Sequence, residues 1–111
     1  MSKVKKIIVA IDEIELETFV HFIDLLDCNL CIIKIGSVTF NSLGRDSVFY
    51  AASKGFNIFL DLKLHDIPNT VKKSIEGLKT LPINMLTIHT PGGLQMMKAA
   101  MQAVNVTNIK V

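Results

Sequence analysis

The sequence has no apolar run approaching the roughly 20 residues that cross a bilayer as a helix, so no membrane-spanning role is expected. Nor does it have an excess of either charge. Twelve Lys and Arg stand against 10 Asp and Glu, for a formal net charge of +2, and the lysines are scattered. A nucleic-acid or membrane surface would call for a basic patch, so neither partner is expected. Cysteine is scarce: only Cys28 and Cys31, spaced C-x-x-C. A structural zinc site needs about four N or S ligands, and no second pair supplies them. A thioredoxin-type pair sits at a helix N-terminus, whereas this one leads into the apolar run Leu30–Ile33. Reduced thiols in a reducing compartment are expected. The N-terminus Met-Ser-Lys-Val-Lys-Lys is basic, but Ile7–Ile11 is too short for a signal-peptide core, and Asp12 and Glu13 follow at once. A cytoplasmic protein is the expectation.

What the chain does have is apolar residues. Hydrophobic side chains make up 50% of its 111 residues, high for a soluble chain of this length. That length suits one domain and is too short for two. The high apolar content suggests strands buried on both faces, as in parallel sheets covered by helices. The runs Lys6–Ile11, Leu30–Ile35, Asn57–Leu64 and Leu86–His89 read as strands. Helical spacing follows each strand. Glu13–Leu26 carries Ile14, Phe19, Phe22, Ile23 and Leu26, with acids in its first turn. Gly36–Gly44 reads as a polar loop, Arg45–Lys54 as a helix, and Gly55 as its cap. Pro68 suits the first turn of a helix striped by Val71, Ile75 and Leu78. Gly92-Gly93 opens a last helix carrying Leu94, Met97 and Met101, and Ile109–Val111 begins a fifth strand. Strand starts recur about every 25 residues. This βα repeat predicts consecutive parallel strands with helical crossovers, in an open doubly wound sheet or an eight-stranded barrel.

In both architectures functional groups gather past the carboxyl ends of the strands. Asp12, Lys34 and His89 stand at three of these ends. Asp61 and Lys63 occupy the last half of the third strand, with His65 and Asp66 just beyond. Alternation puts Leu60, Leu62 and Leu64 on one face and Phe59, Asp61, Lys63 and His65 on the other. Lys34 shares phase with Ile32, so Ile33 and Ile35 pack outward. Buried charges are costly unless paired, and Lys34, Asp61, Lys63 and Asp66 make two cations and two anions. A purely structural ion network is the competing explanation, but buried salt bridges are weak stabilisers, and four charges at the functional end favour chemistry. His65 and His89 beside Asp66 could suggest a metal; neutral rings holding loop hydrogen bonds are the simpler expectation. Gly92-Gly93 suggests tight packing rather than a phosphate cradle. Met96, Met97 and Met101 are most simply core and helix surface.

The segment Phe59-Leu-Asp-Leu-Lys-Leu-His-Asp-Ile-Pro-Asn-Thr70 closely resembles the signature of the orotidine 5′-monophosphate decarboxylase family. Val9-Ala-Ile-Asp12, Ile33-Lys-Ile-Gly36 and Thr87-Ile-His-Thr-Pro-Gly-Gly93 resemble its flanking segments, in the right order and at the right distances. The D-x-K-x-x-D core belongs to a wider superfamily, and His65-Asp-Ile-Pro-Asn-Thr70 narrows it to the decarboxylases. The resemblance implies a (β/α)8 barrel acting as a homodimer. Its reaction turns orotidine 5′-monophosphate into uridine 5′-monophosphate and CO2, the last step of de novo UMP biosynthesis, without metal or organic cofactor. It implies that Lys63 is the proton donor and that Asp61 faces the departing carboxylate. Lys34 pairs with Asp61 and reaches the ribose, which Asp12 also contacts. Asp66, Ile67 and Thr70 would reach the partner subunit's site.

A full barrel takes about 250 residues. Residues 1–111 therefore read as the N-terminal part of one barrel domain: four βα units and the start of strand five. The phosphate-gripping part implied by the resemblance would lie elsewhere, and a chain of this extent is expected to be weakly active or inactive alone. Two alternatives stay open. One is a metal-dependent sugar-phosphate decarboxylase or aldolase of the same superfamily. The other is a non-catalytic half-barrel that self-associates or pairs with a C-terminal half through its exposed sheet edges.

Overall fold

β-Branched runs become strands, and the spaced apolar residues between them become helices. The computed structural model describes Val4, Lys5 and residues 7–111. The elements run β1 (Ile7–Ile11), α1 (Leu16–Leu25), β2 (Cys31–Gly36), α2 (Ser37–Leu43), α3 (Arg45–Ser53), β3 (Ile58–Leu64), α4 (Pro68–Leu78), β4 (Met85–Ile88) and α5 (Leu94–Val104), with a 3-10 turn at Thr90–Gly92 before α5. Lys6, expected to open the first strand, lies outside the described residues. The four strands form one parallel sheet in the order β1-β2-β3-β4. Lys110 adds a parallel bridge to Met85, and its carbonyl accepts the Leu86 N–H at 2.9 Å. The start of a fifth strand thus lies beside β4. This is the arrangement of one half of a (β/α)8 barrel.

The two sheet faces differ. Ile33, Ile35, Ile58 and Leu60 are fully buried, in one cluster with Phe19 and Ile23 of α1, Val48 of α3, and Val71 and Ile75 of α4. The register sets Ala10 beside Lys34, Lys34 beside Phe59, and Phe59 beside Met85 on the opposite face. That face is only partly covered: Ile32, Lys34 and Phe59 are half-buried and Ile8 is exposed. The core therefore sits between sheet and helices, on what would be a barrel's outer side.

Three sequence expectations change. Gly36–Gly44 is not a loop: Ser37–Leu43 is helical, with Thr39 buried and Phe40 and Leu43 packed on the core. Its polar composition hid a short helix that ends at Gly44, where φ is +66. The first helix begins at Leu16 instead of Glu13; ahead of it, the Glu13 N–H donates to the Thr39 hydroxyl at 2.8 Å. In α5 the buried face is Met96, Ala99, Ala100, Ala103 and Val104, whereas Leu94 and Met101 are exposed and Met97 is half-buried. Met96 and three small alanines bring α5 against its neighbours. The cap at Gly55 (φ +91), the proline at the start of α4 and the buried stripe Val71, Ile75 and Leu78 stand as expected.

Candidate active site at the carboxyl ends of the strands

Asp61 lies near the carboxyl end of β3, beside Gly36 of β2 in the register. Only 9% of its side chain is exposed, and both oxygens are engaged. Oδ2 meets Lys63 Nζ at 2.8 Å and Lys34 Nζ at 3.3 Å. Oδ1 accepts a hydrogen bond from the Thr87 hydroxyl of β4 at 2.7 Å. Three adjacent strands thus converge on one carboxylate. Burial alone would push this carboxyl up. Hydrogen bonds from Lys63, Thr87 and Lys34, together with the charge of Lys63, outweigh burial and hold it at about 2 against an ordinary 3.8.

One anion here serves two cations, so the trio carries surplus positive charge. Lys63 is the open member, its side chain 65% exposed, while Lys34 is 31% exposed. An ammonium held by one carboxylate yet open to solvent can both attract an anion and give up a proton.

The backbone at Lys63 is irregular. Leu60 pairs with Leu86 and Leu64 with Ile88, so residues 61–63 of β3 face Thr87 alone on β4. Strict alternation along β3 is therefore broken, and Lys63 adopts a φ of +50. Its ammonium still reaches Asp61, on the side the alternation had implied.

A family model described as Orotidine 5′-phosphate decarboxylase / HUMPS family matches residues 5–111. The chain belongs to this family. The orotidine 5′-phosphate decarboxylase of Saccharophagus degradans is 40% identical over 105 residues, covering 95% of this chain and 44% of that protein. Its counterpart from Streptococcus pyogenes serotype M5 is 43% identical over 103 residues, covering 92% and 45%. The crystal structure of the Lactobacillus acidophilus orotidine 5′-phosphate decarboxylase superposes with a TM-score of 0.82 at 33% identity, covering 96% of this chain and 47% of that one. The chain spans about half the length of the relatives it matches.

In this member of the family, the site residues expected from the sequence divide into two groups. Lys34, Asp61 and Lys63 meet directly. Asp12 stands just past β1, its Oδ1 only 3.7 Å from where a side chain on Gly36 would begin. Asp66 does not join the ion pairs of the described residues: its Oδ1 accepts the Ile67 N–H at 2.7 Å. Asp66, Ile67 and Thr70 are all exposed, along the loop and first turn that lead into α4. The expected pairing of two cations with two anions is therefore two cations with Asp61 alone.

His65 and His89 bring their rings edge to face, with centroids 5.2 Å apart. Their strand ends are tied through the backbone, His89 N–H to Leu64 C=O at 2.8 Å, and no imidazole hydrogen bond is found among the described residues. Among those residues, no three His, Cys, Asp or Glu side chains gather as metal ligands would. A Cβ on Gly92 would run into the Met96 thioether and crowd the His65 ring, so the glycine fits the tight packing expected there. Cys28, between α1 and β2, and Cys31, which opens β2, are free thiols away from any helix N-terminus, and burial pushes the Cys31 thiol up, with Lys5 opposing.

Two residues of the site were not singled out from the sequence. Thr87 stood only as the first residue of the family-like segment Thr87–Gly93, with no role of its own. Thr39 lay in the supposed loop, yet it is fully buried and its hydroxyl lies 2.8 Å from the Ile11 carbonyl, pinning the end of β1 that presents Asp12.

Proposed function

We propose that this chain carries the reacting edge of an orotidine 5′-monophosphate decarboxylase and acts in the cytoplasm, in the last step of UMP synthesis. The observation that supports it most is Asp61 held between Lys34 and Lys63 at the carboxyl ends of parallel strands. The bond from C6 of the pyrimidine to its carboxylate breaks, CO2 leaves, and the electron pair stays on C6. Lys63 stabilises that developing charge and delivers its proton to C6. Asp61 stands beside the substrate carboxylate and disfavours the ground state, while Lys34 and Asp12 reach the ribose hydroxyls. No metal or organic cofactor enters this scheme.

Residues 1–111 act, on this proposal, as the N-terminal part of one barrel domain, with the phosphate grip supplied by the remaining strands. Asp66, Ile67 and Thr70, exposed beside the site, reach into the second subunit of a homodimer. The test is loss of orotidine 5′-monophosphate absorbance with a barrel completed from this chain. Turnover is expected, and Lys63→Ala should abolish it with the fold intact. Retained turnover in Lys63→Ala would refute the role. Activity on a sugar phosphate that requires added divalent metal, with orotidine 5′-monophosphate untouched, would refute the reaction.

A further inference from the structure

Opposite the bulge in β3, the partner strand offers a single residue. Leu60 to Leu64 spans three intervening residues, and Leu86 to Ile88 spans one, Thr87. A bulge of this kind leaves ladder groups without strand partners and is common beside active sites. The Thr87 hydroxyl takes up the slack, accepting the Lys63 N–H at 3.0 Å and donating to Asp61 Oδ1 at 2.7 Å. A threonine hydroxyl has one proton to donate and two lone pairs. An ionised carboxylate only accepts and a backbone N–H only donates, so both directions are fixed by chemistry.

We infer that Thr87 is a positioning residue of this site, whose one hydroxyl locks the Asp61 carboxylate and the Lys63 backbone to each other across the bulge. As a site for decarboxylation this rests on the function proposed above; as a statement about Asp61 and Lys63 it does not. The consequence is geometric. Without the hydroxyl, Asp61 keeps its two lysines but loses the bond that fixes its carboxylate plane, and the left-handed turn at Lys63 loses its anchor. Valine copies the shape of threonine and can make neither bond, whereas serine can make both.

Amide exchange and carboxyl 13C NMR on the 111-residue chain read the two bonds separately. The Lys63 amide should exchange slowly although its side chain is exposed, and Asp61 should titrate well below an ordinary carboxylate. The charged groups around Asp61 are Lys34 from β2 and Lys63 from β3, with Asp12 past the end of β1, and all stay in each variant. Thr87→Val should speed Lys63 exchange roughly tenfold and move the Asp61 midpoint upward, while Thr87→Ser keeps both near wild type. An unprotected Lys63 amide in the wild type, a valine variant that keeps both properties, or a serine variant that loses either overturns the inference. If the valine variant does not fold, the wild-type exchange and the serine variant decide the matter. Neither readout involves substrate, so the inference and the proposed reaction fail independently.

Discussion

Asp61 is held ionised by three donors, and this links it to stability. Its folded value of about 2 lies below the ordinary 3.8, so the charged form favours the folded state. The contribution is complete above roughly pH 4 and disappears as pH falls through 2, amounting to about 2 kcal/mol at most, because Lys63 stays solvated. Urea midpoints between pH 5 and pH 2 should fall more steeply for wild type than for Asp61→Asn; equal slopes would show that Asp61 is not held in this way. Asp61 and Lys63 were legible in the sequence because acids and bases alternating at a strand end are rare and costly. The role of Thr87 was not, although it opens a family-like segment, because its partners depend on a bulge that brings together residues 24 apart in the chain.

At the scale of elements, repeating apolar patterns were the readable part. β1 to β4 were evident as short apolar runs, and α4 by its helical stripe. α2 was hidden because it is short and lies between Gly36 and Gly44; besides Phe40 and Leu43 on the core, it contributes Thr39. That hydroxyl lies 2.8 Å from the Glu13 N–H and 2.8 Å from the Ile11 carbonyl. Thr39→Val would leave those backbone groups without their partner, costing roughly 1–3 kcal/mol in urea denaturation, and Thr39→Ser should recover most of it. A valine variant of unchanged stability would mean that water or another group replaces the hydroxyl. In α5 the methionines divide between core and surface, Met96 buried and Met101 exposed, and Ala99, Ala100 and Ala103 carry too little apolar bulk to mark the buried face in the sequence.

At the scale of the molecule, the sheet has one well-covered face and one that is only partly covered, with Ile8 48% exposed on the latter. Unpaired strand edges and exposed apolar surface favour association. Sedimentation of the 111-residue chain should therefore show concentration-dependent self-association, and a monomer at all concentrations would contradict this. The βα rhythm made the half-barrel legible; the covering of its inner face depends on contacts no local pattern encodes. The backbone at Lys63 bears on the stability of the whole. A glycine would suit φ +50 better than the lysine found there, since a side chain in that region costs roughly 1–2 kcal/mol. Lys63→Gly should thus be more stable than Lys63→Ala by roughly 0.5–1 kcal/mol, and melt higher, after the added freedom of the unfolded glycine chain is subtracted. Equal melting temperatures would show that the turn is unstrained. On the proposed chemistry, selection holds lysine at a position where folding prefers glycine, and a screen for thermal stability alone would discard the side chain that the reaction requires.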